Sequence, residues 1–259
     1  MLSEEECARC ADEMLCAAVL RRPATRPSRT FPDITFQDAC RIQDLWAQMR
    51  LTRGGKLLGY KVGLTSAAAR QALRAAEPSC GRIFEEDVHS PAEHIPADRF
   101  LKPSLEVELA FIVHEALEGP ELRSEDVLRI PHEVVPAFEI VDRRTELPRT
   151  LADTIADNAA FGGLILGRQA LHADVDLSRV GATLFRNGTI EDTGLAAAVM
   201  GHPAAAVAWL ANKLHATGAT LQKGQIVLTG AFLRPIDVRR GDRIAADYQP
   251  GGTLEALFV

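Results

Sequence analysis

Three glutamates of this chain lie inside otherwise apolar segments, where charged side chains are uncommon. Glu106 and Glu108 fall in the run LEVELAFIV, whose other parity is filled by Leu, Val, Leu, Phe and Val. Residues two apart in a strand project from the same face, about 7 Å apart at their Cα atoms. On an exposed face the pair would be ordinary surface charge. The same face continues with Ala110 and Ile112, so we expect partly buried carboxylates that repel each other unless a cation lies between them.

Glu139 is the third such glutamate, in the apolar run VVPAFEIV, where Pro136 predicts an edge strand or a bulge. A single buried glutamate would usually pair with an arginine, and Arg143 or Arg144 is close enough in sequence to serve. Three carboxylates without cysteine or histidine instead suit Mg²⁺ or Mn²⁺, with coordination positions left for water or substrate. Such an open site favours a bidentate oxygen ligand, for example a 2-oxo acid.

Lys61 has a comparable setting in LGYKVGL. Its flanking glycines, Gly59 and Gly63, would leave space around the amine, as a ligand cavity requires. The alternative is a surface lysine whose aliphatic stem covers apolar neighbours. A partly desolvated lysine beside a metal would have a lowered pKa, which makes Lys61 a candidate proton shuttle.

The elements that must position these residues differ between the two parts of the chain. Ser3 and the three glutamates after it open an amphipathic helix, and a second helix runs from about Ala39 to Gly54-Gly55. From Leu57 onward the apolar period changes to two, which predicts short strands at 57–64, 105–113, 134–141, 162–166, 182–186, 189–192, 225–229, 243–247 and 253–259. We therefore expect one α+β domain over residues 1–259, with a helical cap (1–56) and a β-rich body (57–259).

Two further helices, at 66–76 and 202–215, interrupt the strand series, and Asn187-Gly188 predicts a hairpin. His202 precedes Pro203 at the start of the second helix, and a cap is a more frequent role there than acid catalysis. The chain has no GxGxxG, P-loop, GxSxG or HExxH motif, which argues against the enzyme classes that depend on them.

Composition excludes several partners. The formal charge is −6, from 35 acidic and 29 basic residues, which argues against nucleic acid or an anionic membrane surface. An acidic N-terminus and the lack of a long apolar stretch predict a cytoplasmic protein. We expect the five cysteines to be reduced, and the CxxC of Cys7 and Cys10 lacks a second half for a zinc site and fits an apolar helix face.

With these residues identified, the chain resembles the 2-keto-4-pentenoate hydratase group of the fumarylacetoacetate hydrolase superfamily. Six motifs occur in the same order over almost the whole length: GYKVGLTS, LEVELAF, VVPAFEIVDRR, DTIADNAA, GHPAAAVAWLANKL and GQIVLTGAF. FPDITFQDA and IEDTGLAAAV are most similar to the 2-oxohept-4-ene-1,7-dioate hydratase subgroup. The resemblance implies a mixed β-roll with an N-terminal α-helical cap, built into homo-oligomers that associate with a decarboxylase or aldolase of the same pathway.

The resemblance also implies an activity and a site. Water would add to a 2-hydroxydienoate or its 2-oxoalkenoate tautomer to give a 4-hydroxy-2-oxo acid, with Mg²⁺ or Mn²⁺ as cofactor. Glu106, Glu108 and Glu139 match the metal ligands and Lys61 matches the lysine of the substrate pocket. The candidate substrate-binding residues are Ser79, Arg143, Asp157, Asn158 and Thr229. For Asp157 and Asn158 a capping or turn role is equally compatible with the sequence.

The chain departs from its relatives at three places. Ser79 replaces a common pocket aspartate, Ala160 stands where many relatives have serine, and Ser104 stands where arginine is usual. Losing an acid would reduce repulsion toward a second substrate carboxylate, and Arg143, where close relatives carry smaller residues, could supply a cation. These departures leave the exact substrate open.

Three other functions are compatible with parts of the sequence. A decarboxylase of the 4-oxalocrotonate type would use a similar metal site to release CO₂. Hydrolysis of a C–C bond in an acylpyruvate would need a His-Glu pair, which none of His89, His94 and His114 clearly supplies. A non-enzymatic scaffold would leave three buried carboxylates without a cation, which is energetically unfavourable.

Overall fold

The helical cap follows from two well-capped amphipathic helices. In the computed structural model, which describes residues 1–91 and 94–259, the cap contains α1 (Glu4–Leu20), α2 (Pro27–Thr30) and α3 (Phe36–Thr52). The Ser3 hydroxyl accepts from the Glu6 amide, and the Glu6 carboxylate accepts from the Ser3 amide. Thr35 and Asp38 form the same reciprocal cap on α3. The apolar faces of α1 and α3 pack on each other and on Phe84, Ile155 and Ala156 of the body.

The body is built mainly from strands. Among the described residues these are β1 (Leu57–Gly63), β2 (Ser79–Phe84), β3 (Val88–His89), β4 (His94–Ile95), β5 (Pro103–Val113), β6 (His132–Asp142), β7 (Phe161–Leu166), β8 (Gly181–Arg186), β9 (Thr189–Leu195), β10 (Ile226–Leu228), β11 (Ile236–Asp237), β12 (Arg243–Gln249) and β13 (Gly252–Phe258). Between them lie α4 (Ala67–Leu73), α5 (Ser124–Arg129), α6 (Leu151–Ala156) and α7 (Pro203–His215). No described helix is long and apolar enough to cross a membrane.

The strands form two mixed sheets. The larger has the order β2-β1-β10-β5-β6-β7-β3, with β11 also paired to β5, and the β1·β10 and β3·β7 pairs are parallel. The smaller has the order β4-β13-β12-β8-β9. Asn187 and Gly188 both have positive φ, at 51° and 83°, as the predicted hairpin between β8 and β9 requires. The predicted α+β fold with an N-terminal helical cap is confirmed.

The two faces of β5 enter different clusters. Leu105, Val107, Leu109, Phe111 and Val113 join the main core, which side chains of both sheets share. Ala110 and Ile112, on the opposite face, pack in a smaller cluster with residues of β2, β6, β7 and β10. The alternation predicted from sequence is therefore confirmed. Glu106 and Glu108 share the second face with Ala110 and Ile112.

β6 is an internal strand, so of the two alternatives predicted from Pro136, an edge strand or a bulge, the edge strand was wrong; the register shift in the β6·β7 pairing lies between Ile140 and Val141. It pairs with β5 over its whole length and with β7 from Ala137 to Val141. The β7 pairing ends at Ala137 opposite Leu166, one residue after Pro136. On that side the Pro136 carbonyl accepts from the Gly167 amide at 2.7 Å. The missing N–H of Pro136 costs no ladder bond because it faces the point where β7 stops.

Candidate active site

Strand register brings the three glutamates together. Glu106 of β5 lies directly opposite Glu139 of β6, and Glu108 faces Ala137, next to Glu139 on the same face. One carboxylate oxygen from each residue lies within 4.8 Å of the others. Oxygens on opposite sides of one divalent cation are about 4–5 Å apart, given metal–oxygen bonds of about 2.0–2.6 Å. The three side chains can therefore share a single ion.

Burial dominates the electrostatics of this cluster. Glu108 and Glu139 are 1% and 0% exposed, whereas Glu106 is half-buried. Burial raises the pKa of Glu139 to about 7, although the Lys61 ammonium acts to lower it. Burial also raises the pKa of Glu106, and it raises that of Glu108 far above the ordinary range, where Glu139 adds to the effect. Such groups are costly without a cation, because burial penalises their charged form.

The hydrogen bonds of the cluster leave carboxylate oxygens that are free to bind a metal. Glu108 Oε2 accepts from the Gly230 amide at 2.8 Å. Lys61 Nζ lies 3.0 Å from Glu139 Oε1, but within the described ranges neither carboxylate oxygen of Glu139 receives a well-directed hydrogen bond. Buried polar atoms without partners usually mark a missing water or ion. An all-carboxylate donor set with unused oxygens fits a hard divalent cation.

Lys61 enters this cluster from β1, two strands away from β5. Its Nζ also donates to the Ala159 carbonyl at 3.1 Å. Burial acts to lower the pKa of Lys61, but Glu139, Glu106 and Glu108 outweigh burial and raise it. The lowered pKa predicted from sequence assumed an adjacent cation, and the protein groups alone act in the opposite direction. Lys61 is therefore an ammonium group held against three carboxylates, and not a surface lysine.

Only one of the two flanking glycines makes room for the amine. A Cβ on Gly63 would lie 3.2 Å from Lys61 Nζ and 3.0 Å from Ser79 Oγ. A Cβ on Gly59 would lie 1.9 Å from the Ile226 carbonyl oxygen. Gly63 thus leaves space at the site as predicted. Gly59 instead permits the close approach of β10, which corrects the role expected for it.

A left-handed turn supplies the carbonyl that binds Lys61. Asn158, Ala159 and Ala160 have φ values of 48°, 52° and 60°. Each residue costs on the order of 1 kcal/mol in this conformation, so the surroundings must hold it. The Asn158 side chain does so, since its Oδ1 accepts from the Arg82 amide at 2.7 Å and its Nδ2 donates to the Arg82 carbonyl at 2.8 Å.

A cavity of about 760 Å³ opens beside the cluster. Its polar lining consists of Lys61, Ser79, Glu106, Arg143, Arg149 and Thr154. The volume lies in the range of small-ligand sites, about 300–1,000 Å³. Four of the residues predicted from sequence, Lys61, Ser79, Glu106 and Arg143, therefore face one cavity, with Glu108 and Glu139 next to it.

Three predicted substrate-binding residues lie behind the cavity wall. The Asp157 carboxylate binds Arg144 Nε at 2.6 Å and Arg149 Nη2 at 3.0 Å. Asn158 is occupied with Arg82, and the Thr229 hydroxyl donates to the Leu109 carbonyl at 3.0 Å. Their polar groups are engaged by protein, so we replace direct substrate contact by a positioning role for all three. Thr229 precedes Gly230, whose amide binds Glu108.

The structure also resolves other sequence alternatives. His202 Nδ1 accepts from the Ala204 amide at 3.1 Å at the start of α7, which confirms the capping interpretation. Cys7 and Cys10 are buried on the apolar face of α1. Among the residues the structure describes, the three glutamates are the group of metal-ligand type that converges. Sequence reasoning missed Arg149, because nothing in its local sequence distinguishes it from a surface arginine.

Comparisons with known proteins show which family the chain belongs to. Residues 67–259 match the family model described as fumarylacetoacetate (FAA) hydrolase C-terminal. The chain is 41% identical over 240 residues to 2-oxo-hept-4-ene-1,7-dioate hydratase of Escherichia coli, covering 90% of each chain. It is 35% identical over 231 residues to 2-keto-4-pentenoate hydratase of Paraburkholderia xenovorans, covering 88% of this chain and 86% of that one.

A solved structure shares nearly the whole fold. The 4-oxalocrotonate decarboxylase from Pseudomonas putida G7, complexed with magnesium and adipate, superposes with a TM-score of 0.96 at 29% identity, over 100% of this chain and 99% of that chain. The family model covers most of the chain, and the relatives extend the match into the helical cap. The chain belongs to the fumarylacetoacetate hydrolase family, and hydratases and a decarboxylase are among the proteins it is similar to.

Proposed function

We propose that this protein is a divalent-metal-dependent hydratase that adds water to a 2-hydroxydienoate or its 2-oxoalkenoate tautomer, giving a 4-hydroxy-2-oxo acid in aromatic meta-cleavage catabolism. The observation that carries the proposal is the cluster of Glu106, Glu108 and Glu139 with Lys61, beside a cavity of about 760 Å³. The hydratase relatives support the same reaction. The substrate is of the 2-oxohept-4-ene-1,7-dioate or the 2-oxopent-4-enoate type.

Glu106, Glu108 and Glu139 would hold the metal, which we propose to be Mg²⁺ or Mn²⁺. When bound, such an ion supplies Lewis-acid stabilisation for the negative charge that develops on a bidentate 2-oxo acid. The protein prepares for it with two nearly inaccessible carboxylates and the Gly230 amide, which fixes Glu108. Lys61 balances one of the three carboxylate charges from the cavity side.

Lys61 is the proposed catalytic residue. Its ammonium group lines the cavity and is oriented by the Ala159 carbonyl and by Glu139. From this position it donates a proton to C5 of the dienol, and the neutral amine then takes up the proton that the 2-hydroxyl loses, which gives the 2-oxo-3-enoate. Water then adds across C3 and C4, with its hydroxyl at C4 and its proton at C3. Ser79 offers a hydroxyl on the same wall, and Arg143 offers a cation for the substrate.

The decisive experiment is a substrate panel. We would assay 2-hydroxydienoates with and without a terminal carboxylate, in Mg²⁺ and in Mn²⁺, and measure both hydration and CO₂ release. Hydration that requires the metal is the expected result. Glu106→Gln should abolish it, whereas Glu255→Gln, a change at an exposed glutamate that pairs with Arg243, should not. Metal-independent turnover, or full activity in Glu106→Gln, would remove the metal from the proposal.

Lys61→Ala separates chemistry from binding. We expect it to lose turnover while it still binds the metal and a substrate analogue, because three glutamates remain. Full activity in this variant would exclude Lys61 from the mechanism.

Decarboxylation is the second candidate, favoured by the close superposition on a decarboxylase. It would use the same residues, and a divalent ion held by the three glutamates would supply the electron sink for loss of CO₂. Release of CO₂ from 2-oxo-3-hexenedioate without water addition would identify it. Hydrolysis of a C–C bond has less support, since no histidine belongs to the described cavity lining.

We further propose that residues 1–259 act as one catalytic domain in a cytoplasmic homo-oligomer. Association with a decarboxylase or aldolase of the same pathway remains a prediction. Gel filtration of the purified protein, alone and with such a partner, tests both.

A further inference from the structure

Arg149 is a buried cation whose guanidinium donors are not all used in hydrogen bonds. It lies in the loop between β6 and α6, and its side chain is 7% exposed. Nη2 lies 3.0 Å from Asp157 Oδ2 and donates to the Asp153 carbonyl at 3.2 Å. Within residues 1–91 and 94–259, the buried Nε has no hydrogen-bond acceptor. A buried guanidinium normally uses most of its five donors, and Arg149 belongs to the cavity wall. Arg149 therefore lies at the cavity wall with part of its donor capacity unused.

Arg143 adds a second cation to the same region. It lines the cavity and makes no ion pair with any residue of the described chain. Its charge also acts on the glutamate cluster, because it tends to lower the pKa of Glu106, which burial raises. Burial lowers the pKa of Arg149, and the charges of Arg144 and Arg143 lower it further. Two guanidinium groups thus repel each other in a cavity whose described lining contains one carboxylate, that of Glu106.

Ion pairing leaves Arg143 as the cation without a partner at this end of the cavity. Asp157 is shared by Arg144 and Arg149, and the carboxylates of Asp142 and Asp153 also act on these two arginines. At the other end a divalent cation together with Lys61 would balance the three glutamates. An anionic ligand would therefore pair with Arg143 beside Arg149, and a carboxylate matches the guanidinium fork in shape.

An arginine of the adjoining cavity is a weaker candidate. A second cavity of about 370 Å³ shares Glu106 with the first and contains Arg234. The side chain of Arg234 is 83% exposed, and its Nε already binds Asp192 Oδ2 at 3.1 Å. A solvated and paired arginine contributes little to anion binding compared with a buried one that has free donors.

We propose that Arg143 and Arg149 form a second anion subsite, which binds the distal carboxylate of a dicarboxylic 2-oxo acid whose 2-oxo end lies at the glutamate cluster. This inference rests on the proposed function, and it names the substrate class as the dioate. Asp157 then acts as a positioning residue, since it holds Arg149 at the cavity wall through Nη2.

The test compares two substrates that differ in the distal carboxylate. In Arg149→Gln and in Arg143→Gln we expect kcat/KM for the dicarboxylic dienoate to fall roughly 10- to 100-fold, mainly through KM, as for loss of a charged hydrogen bond. The monocarboxylic dienoate should lose several-fold less. Arg149→Lys should recover part of the loss, and Arg234→Gln is the matched control that should change neither substrate.

Equal losses of kcat/KM for both substrates would show a structural role and overturn the proposal. An unchanged kcat/KM for the dicarboxylic substrate would also overturn it. Arg149→Gln also removes contacts with Asp157, so it could loosen the loop. Arg143 has no protein partner to lose among the described residues, and its variant keeps the test interpretable.

Binding without turnover separates this proposal from the reaction itself. Titration calorimetry of the Mg²⁺-loaded protein with adipate and with hexanoate should show at least about a tenfold preference for adipate, given the strength of charged hydrogen bonds. Arg149→Gln should abolish that preference. Wild-type protein without the preference, or a variant that keeps it, would overturn the subsite. If hydration fails while the Arg149-dependent preference remains, the reaction is wrong and the subsite stands.

Discussion

Chelation of divalent ions should make the stability of this protein fall as pH rises through neutrality. The reason is Glu139, which is fully buried and has a pKa raised by burial from 4.5 to about 7. A carboxyl whose pKa is raised in the folded state makes its full contribution to stability when the pH is below the pKa that it has in the unfolded chain. That contribution disappears as pH rises through the folded value. The affected window is therefore about pH 4.5 to 7.5.

The size of the effect follows from the same two values. A change from 4.5 to about 7 corresponds to about 3 kcal/mol, at ~1.4 kcal/mol for each pH unit. For a protein of this size, 1 kcal/mol changes Tm by roughly 2–4 °C, so Tm should fall by about 6–12 °C. Bound Mg²⁺ should remove the decline, because it stabilises the ionised carboxylates.

Thermal unfolding followed by circular dichroism, in chelator and in Mg²⁺ from pH 5 to 8, measures this difference. Glu139→Gln should reduce the slope recorded in chelator without removing it, because burial also raises the pKa of Glu106 and Glu108. The exposed-site control Glu255→Gln should leave the slope unchanged. The reasoning is refuted if the chelated wild-type protein has the same Tm at pH 5.5 and pH 8. It is also refuted if Glu139→Gln keeps the full slope.

Three further changes test other parts of the structure. Gly63→Ala should push Lys61 Nζ from 3.2 Å by a few tenths of an ångström and lower kcat roughly 10-fold, with little change in Tm. Gly181→Ala, which meets only ordinary contacts, is its control, and equal kcat values would contradict the argument. Burial acts to raise the pKa of Asp153, but its hydrogen bonds lower the pKa overall. Asp153→Asn should therefore be less stable than the wild type at pH 7, and its stability should decline less as pH falls below about 4. Acid-induced unfolding of both proteins checks this. Tyr248→Phe leaves the buried Ala137 carbonyl without its 2.8 Å donor and should cost about 1–3 kcal/mol in denaturant unfolding; no change would show that another donor replaces it.

Short-range pattern accounts for the elements that sequence predicted. The caps at Ser3 and Thr35, the hairpin at Asn187-Gly188 and the two faces of β5 depend on neighbours a few residues away. Strands β2, β3, β4 and β11 and helices α2, α5 and α6 were not predicted, because they are short and carry no clear period. Pro136 was misplaced for a related reason. Whether a strand is internal depends on its partners, and β7 is about 25 residues further along the chain.

The sequence by itself determined which side chains are available for chemistry. Glu106, Glu108, Glu139 and Lys61 are conspicuous because charge inside an apolar strand is expensive, and that cost can be recognised from local sequence alone.

The tertiary structure decided how those side chains meet and what surrounds them. The β5·β6 register sets Glu106 opposite Glu139, and the left-handed turn after α6 directs Lys61. The fold also places Asp157, Asn158 and Thr229 outside the cavity lining, where arginines and backbone groups distant in sequence bind their polar atoms. Arg149 could be identified only from the tertiary structure. An arginine is conspicuous when it is buried with an unused donor, and burial depends on the fold and not on the residue type.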